Sequence, residues 1–162
     1  MSGPRGILDA SRFDVPSRVI DETVETLRDA GRDGLEAMVA WAGRRQGDVV
    51  TVTRAVVPDQ TAHRTPDGLL VVVDGDALFD LNRELFSHSE LLVGQAHSHG
   101  EDAYHSDTDD HLSLVTVLGA LSVVVPAFAA GGRDAVATWY WTRLVGTGEW
   151  DPIQASQLIR IV

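Results

Sequence analysis

The stretch that decides the fold runs from residue 91 to residue 111 and reads LLVGQAHSHGEDAYHSDTDDH. Its first six residues are mostly apolar, as expected of a buried strand, and they lead directly into two histidines. Four of the six histidines of the chain and five of its 24 acidic residues lie between His97 and His111. A solvated surface does not need such crowding, so this segment is the first candidate for chemistry.

His97 and His99 stand two positions apart at the end of the predicted strand, so both imidazoles project to the same side. Two neutral imidazoles on one face provide two ligands of a zinc site. Asp109 lies close in sequence and could fold back as a third, oxygen ligand. Two histidines and one carboxylate leave the fourth tetrahedral position to water, which is typical of a catalytic zinc ion rather than a structural one.

Parts of this pattern also have a purely structural interpretation. An isolated His-x-His at a strand end is often surface decoration, and Ser106 followed by Asp109 matches the capping box of a helix start. The two interpretations of Ser106 are compatible, because a cap would fix the backbone that presents the aspartate. His105 and His111 lack a comparable geometric argument, and we treat them as supporting or surface residues.

The remaining sequence predicts alternating strands and helices. Ile20, Val24 and Leu27 share one helical face, with Ser17 as the N-cap and Gly31 as the stop. Further helices are expected from Asp76 through Leu85 and over residues 106–118. Strands are expected at 48–57, 69–73, 91–96, 121–125, 135–144 and 158–162, with a hairpin turn at Gln46–Gly47 and a loop over 59–68. This order predicts an α/β (α+β) fold with a single mixed β-sheet flanked by helices.

The composition is that of one compact domain. Of the 162 residues, 44% are hydrophobic and 23% are charged, and we find neither a repeat nor a change of composition that would mark a boundary. We therefore expect a single domain over residues 1–162, with residues 1–14 as a flexible N-terminal segment.

The charge balance and the missing residue types exclude several classes of function. With 13 basic and 24 acidic residues, the net charge of −11 repels phosphate and anionic lipid, so we expect neither nucleic acid nor a membrane as partner. The chain has no cysteine, which excludes disulfides, thiolate ligands and a cysteine nucleophile. It also has no lysine, which excludes Schiff-base chemistry. Without a signal-like or membrane-spanning run, we expect a cytoplasmic protein.

The pattern His97-x-His99 followed by Ser106-x-x-Asp109 resembles the JAMM motif of the MPN (JAB) metalloprotease family, and is most similar to its small stand-alone bacterial members. That family has a glutamate upstream, at the start of an apolar stretch, and Glu36 matches this position. The likeness extends from about Val15 to Leu144 and implies an MPN/JAB-like (cytidine-deaminase-like) fold.

Two departures from the family pattern lie in the loop after the histidines. Gly100 stands where the family usually has proline, and six residues rather than the commoner seven separate His99 from Ser106. The shorter loop leaves a choice between Asp109 and Asp110 as the third ligand. The spacing from the serine favours Asp109.

The resemblance implies a role for each matched residue. One zinc ion per chain would be held by His97, His99 and Asp109. Glu36 would be the general base that takes a proton from the zinc-bound water, and Ser106 would donate a hydrogen bond to the oxyanion. Without the resemblance, the residues alone do not distinguish Glu36 from Asp33 or Asp48 as the base.

The same resemblance implies a substrate class. We expect a zinc-dependent isopeptidase or peptidase acting on the amide or isopeptide bond at the C-terminal tail of a ubiquitin-like protein, in deconjugation or precursor processing. Its partners would be the ubiquitin-like protein or its conjugate, and the activating and conjugating enzymes of the same system. The alternatives are a non-catalytic MPN scaffold that binds protein partners and a metallopeptidase of a sulfur-carrier system.

Overall fold

The computed structural model describes residues 6–101 and 113–162. Its strands are β1 (Arg12–Val15), β2 (Met38–Gln46), β3 (Val49–Val56), β4 (Thr61–Thr65), β5 (Gly68–Val72), β6 (Leu91–Ser98), β7 (Leu121–Val125), β8 (Tyr140–Gly146), β9 (Glu149–Pro152) and β10 (Ile159–Ile161). Its helices are α1 (Ser17–Arg32), α2 (Gly75–Ser87) and α3 (Ala155–Leu158), with short 3-10 segments at Ala127–Ala129 and Arg133–Thr138. Within these ranges, no helix combines the length and apolarity needed to cross a bilayer.

Eight strands form one mixed sheet in the order β10-β1-β3-β2-β6-β7-β8-β9. Strand β2 is antiparallel to both β3 and β6, whereas β6 and β7 run parallel. The remaining strands, β4 and β5, pair with each other as a separate hairpin. The predicted fold class is confirmed: a mixed sheet flanked by helices, with the small hairpin as an addition.

Helix α1 packs on one face of this sheet. Its buried residues Val19, Ile20, Val24 and Leu27 recur at helical spacing, and Thr23 among them accepts a hydrogen bond from the Trp41 indole at 3.0 Å. Ser17 is the first helical residue rather than the N-cap, a position that Pro16 occupies. Proline without an N–H suits a helix start, because the first amides lack helical partners in any case.

Strand β6 lies near the centre of the sheet, between β2 and β7, and all of its residues after Leu91 are buried, so both of its faces are covered. Trp41 of β2 lies opposite Gly94, where a Cβ would come within 3.0 Å of the indole. Residues directly opposite share a face, and neighbours along a strand alternate. Gln95 and His97 therefore project from the face opposite the one where Trp41 meets α1.

The prediction of a loop over 59–68 is wrong, because β4 begins at Thr61 and pairs along its length with β5. The strand predicted over 69–73 is found as β5. Within β5, Val71 is the only fully buried residue. An exposed hairpin needs no apolar face, so its polar strand carries little periodic signal. The Thr65 hydroxyl, which donates to the Gly68 carbonyl at 2.9 Å, closes the turn.

The N-terminal expectation also differs from the structure. Residues 1–5 lie outside the described ranges, but Ile7, Ala10 and Phe13 are buried and β1 lies between β3 and β10. Parallel pairing with strands far along the chain leaves no local signature in the sequence. The flexible segment predicted over 1–14 is therefore not found from residue 6 onward.

Two further predicted elements change at their boundaries. Of the helix expected over 106–118, residues 106–112 lie outside the described ranges, and residues 113–118 are not helical. The strand expected over 135–144 is a 3-10 segment up to Thr138, and β8 begins at Tyr140.

Candidate metal centre

The two histidines of the motif converge at the end of β6. His97 is the penultimate residue of the strand and His99 directly follows its end. Their Nε2 atoms lie 3.3 Å apart, and their ring planes are inclined at 60°. The side chains are shielded from bulk water, since the two residues are only 2% and 8% exposed.

This spacing fits a tetrahedral metal ion. Two imidazole nitrogens, each about 2.0–2.1 Å from a tetrahedral zinc ion, lie about 3.3–3.4 Å apart. The observed 3.3 Å between the Nε2 atoms corresponds to that edge. The pair is therefore arranged as two ligands of one ion, and little movement of either ring would be required on binding.

Backbone hydrogen bonds from both sides hold the pair in place. On one side, Ser98 donates its N–H to the Ala37 carbonyl at 3.2 Å, and its Oγ accepts from the Ala37 N–H at 3.1 Å. On the other side, the His99 N–H donates to the Val125 carbonyl at 2.9 Å. His99 thus continues the pairing with β7 beyond the last residue of β6.

Glu36 lies at the same end of the sheet as the histidines. Met38 pairs with His97, and continuing this antiparallel register by two residues places Glu36 opposite His99. Glu36 is half-buried and directly precedes Ala37, which is bonded to Ser98.

The structure separates Glu36 from the other two candidate bases. Asp48 lies in the turn between β2 and β3, at the far end of β2 and about 25 Å away along the strand. Asp33 caps the C-terminal end of α1, is exposed, and accepts a hydrogen bond from Arg64 through its carbonyl. Of the three acids, Glu36 is the one whose backbone adjoins the histidine strand.

Ser106, Asp109 and the competing Asp110 lie outside the described residues, as do His105 and His111. Among residues 6–101 and 113–162, no group of three His, Cys, Asp or Glu side chains has the arrangement of a metal site. The expected third ligand and the expected oxyanion donor therefore remain predictions from the sequence.

Gln95 is a supporting residue that sequence reasoning missed. Its Oε1 accepts from the backbone amides of Leu114 at 2.7 Å and Val115 at 3.3 Å, and its Nε2 donates to Ser122 Oγ at 3.1 Å. It thereby joins β6 to β7 and to the chain that follows residue 112. The available signal was a polar residue in an apolar run, on the same strand face as His97.

The fold and the paired imidazoles define an α+β protein with a candidate metal centre at one end of its central strands. The sequence matches the family described as prokaryotic homologs of the JAB domain over residues 16–143. The chain therefore belongs to this family, which confirms the resemblance of the motif.

One relative and one solved structure extend the likeness over nearly the whole chain. A protein of Sinorhizobium fredii (strain NBRC 101917 / NGR234), named probable metalloprotease y4jG, is 33% identical over 154 residues, which span 95% of this chain and 94% of that protein. The solution structure of protein DSY2949 from Desulfitobacterium hafniense superposes with a TM-score of 0.66 at 16% identity, covering 93% of this chain and 92% of the other. The second likeness shows a shared fold.

Proposed function

We propose that this protein is a zinc-dependent metallopeptidase that hydrolyses the amide or isopeptide bond at the C-terminal tail of a ubiquitin-like protein. The coarser part, a metallopeptidase, is supported by membership of the JAB family and by the relative named probable metalloprotease. The finer part, the choice of zinc and of a ubiquitin-like substrate, rests on the resemblance of the motif to JAMM proteins.

The single observation that carries the proposal is the 3.3 Å spacing between the Nε2 atoms of His97 and His99. The same distance allows an N–H···N hydrogen bond between the two imidazoles in the absence of metal, and the resemblance to the JAMM motif favours the interpretation as a metal pair. Asp109 is the proposed third ligand. When bound, a zinc ion with an open position supplies a water of lowered pKa and a Lewis acid.

Glu36 and Ser106 have the proposed catalytic roles. The Glu36 carboxylate takes the proton of the attacking water and passes it to the leaving amine. The Ser106 hydroxyl donates a hydrogen bond to the oxyanion of the tetrahedral intermediate. The acidic residues between Glu101 and Asp110 attract a divalent cation and a basic segment of the substrate. Activating and conjugating enzymes of the same system are the further partners we propose.

The test combines metal analysis with cleavage of a defined substrate. The probe is a ubiquitin-like sulfur-carrier protein joined through its C-terminus to a reporter peptide, once by a peptide bond and once through a lysine side chain. We expect one zinc per chain and cleavage at the junction. Glu36→Gln should retain the zinc and lower kcat by about 10²–10⁴-fold, the usual contribution of a general base.

Glu22→Gln is the matched control, since Glu22 is an exposed glutamate of α1 and its substitution removes the same charge. It should cleave as the wild type does. Wild-type protein without stoichiometric zinc, or a Glu36→Gln variant as active as the control, contradicts the proposal. Zinc binding without cleavage of either probe would instead support the alternative of a non-catalytic scaffold.

A further inference from the structure

A left-handed turn lies directly beside His99. Ala127, Phe128 and Ala129 have φ values of 53°, 50° and 61°, so three consecutive residues other than glycine occupy the left-handed region. L-residues with a Cβ rarely adopt this conformation, and a run of three persists only where the surrounding structure holds it.

Helix α1 holds the turn from one side. Arg28 donates from Nε to the Ala129 carbonyl at 2.9 Å and from Nη2 to the Ala130 carbonyl at 2.8 Å. Gly31, one helical turn further, leaves room for Phe128, because a Cβ at Gly31 would come within 2.4 Å of the Phe128 Cβ. The planar guanidinium matches two successive carbonyls with two fixed donors, which the single ammonium of lysine cannot do.

The left-handed turn also holds the backbone around His99, the second histidine of the motif. The Phe128 N–H donates to the His99 carbonyl at 3.0 Å, and the Ala127 N–H donates to the Glu101 carbonyl at 3.0 Å. The Phe128 ring covers Gly100 so closely that a Cβ there would lie 2.9 Å from Cζ. Residues 99–101 are therefore fixed by the turn through two hydrogen bonds and one ring contact.

We propose that the left-handed turn, with Arg28 and Phe128 as its positioning residues, sets the place of His99 and hence the spacing of the two metal-binding imidazoles. The proposal rests on the metal site of the proposed function. The position of the Phe128 ring also requires a residue without a Cβ at position 100, since a Cβ there would lie 2.9 Å from Cζ. Gly100 and Phe128 thus form a coupled pair, in which a larger residue at one position requires a smaller one at the other.

The test is a double-mutant cycle on this pair. Gly100→Ala, Phe128→Ala and the double variant are compared with the wild type for zinc Kd, measured by competition with a chromophoric chelator. Gly100 does not have a left-handed φ, so alanine there introduces the ring collision without backbone strain. We expect Gly100→Ala to raise the zinc Kd by about 10–100-fold, the range known for residues that orient metal ligands. In the double variant the collision is absent, and Kd should return to the value of Phe128→Ala.

Two further measurements separate positioning from general stability. Hydrogen exchange of the Ala127 and Phe128 amides in metal-free protein reports whether the turn still bonds residues 99–101, and thermal unfolding of the metal-free variants reports stability. Exchange at both amides should accelerate in Gly100→Ala and be restored in the double variant relative to Phe128→Ala. Gly75→Ala is the control, because a Cβ at Gly75 meets nothing within 4 Å, and its zinc Kd should equal that of the wild type.

Equal zinc Kd values in the wild type and all folded variants would overturn the proposal while leaving the proposed function intact. The proposal would also be overturned if the fold-changes in zinc Kd of the two single variants multiplied to give that of the double variant. The two residues would then not be coupled through their contact. Wild-type protein that binds no zinc overturns both the proposed function and this proposal.

Discussion

At the scale of single residues, the serine between the two histidines separates two tasks. Side chains alternate along a strand, so Ser98 points away from the side that His97 and His99 share. On that side, the Ser98 Oγ accepts a hydrogen bond from the buried Ala37 N–H at 3.1 Å. This bond connects the start of β2 to the end of β6. One three-residue stretch thus carries the two candidate ligands and binds the backbone of Ala37, the residue that follows Glu36.

Loss of one imidazole is expected to abolish stoichiometric metal binding. His99→Gln removes one of the two nitrogens that lie 3.3 Å apart and leaves a single imidazole at the sheet end. We expect the zinc content of the purified protein to fall by about tenfold or more, because each ligand supplies a large share of the affinity of such a site. Elemental analysis of the dialysed protein measures this.

His63→Gln is the matched control for this substitution. His63 is exposed on the β4–β5 hairpin, and its loss should leave the zinc content unchanged. Equal zinc in both variants would contradict the assignment of His99 as a ligand.

At the scale of elements, the fully buried amide side chain of Gln95 connects β6 to its surroundings in addition to the backbone pairing of the strand. Gln95 bonds to the backbone of Leu114 and Val115 and to the Ser122 hydroxyl of β7. A buried amide group without an acceptor is costly, so these amides depend on the glutamine carbonyl. Leu114 and Val115 are thereby fixed to the strand that carries His97.

Removal of the Gln95 carbonyl should destabilise the protein. Gln95→Leu keeps a similar volume but leaves the Leu114 amide without its acceptor at 2.7 Å. We expect a loss of about 2–3 kcal/mol in the free energy of unfolding, the penalty of an unsatisfied buried polar group. Urea denaturation followed by circular dichroism measures it. Gln46→Leu, at an exposed position of β2, should change stability by less than about 0.5 kcal/mol; a comparable loss there would refute this account.

At the scale of the whole molecule, the two ends of the chain complete the sheet together. Strand β1 pairs with β10, and Arg160 forms an ion pair with Asp14 at 2.8 Å across this junction. On β8, Arg143 donates to the carbonyls of Ile7 and Ala10, and burial lowers its pKa from the ordinary value. The N-terminal segment is therefore held by residues more than 130 positions away.

Acid is expected to destabilise the protein through Glu90. Burial tends to raise the pKa of this carboxyl, but hydrogen bonds from Arg54 at 2.9 Å and from Thr53 outweigh it and hold the pKa below its usual value. A lowered folded-state pKa means that the stabilisation is fully present above the unfolded-state pKa of about 4.3 and is lost as pH falls through the folded-state value.

Glu90→Gln tests this dependence. Removing the charge of Glu90 should cost about 1–2 kcal/mol at pH 7, because its charged hydrogen bonds are weakened while Arg54 keeps its ion pair with Glu84. The difference in unfolding free energy between variant and wild type should shrink as the pH falls from about 4.3 through the lower folded-state pKa, because the carboxyl of the unfolded chain is protonated first and the folded carboxyl only at lower pH. Denaturation at several pH values measures it. Glu25→Gln, on the exposed side of α1, should show no such pH-dependent difference; a constant difference for Glu90→Gln would contradict the argument.

By itself, the sequence determined the features that depend on near neighbours along the chain. The helical spacing of Ile20, Val24 and Leu27 predicted α1, the apolar run before His97 predicted β6, and the two-residue spacing predicted that His97 and His99 face the same way. These follow because helix and strand periodicities are local properties of the backbone. The residues also carried the family resemblance, which the family match confirmed.

Only the tertiary structure decided which distant residues meet. The antiparallel register of β2 and β6, which joins residues about sixty positions apart, places Glu36 beside the histidine strand and Asp48 at the far end of β2, while the role of Glu36 as base stays a prediction. The contacts of the left-handed turn with His99, Gly100 and Arg28 left no pattern in the sequence. Such contacts are set by strand pairing and side-chain packing across the whole molecule, and no local periodicity encodes them.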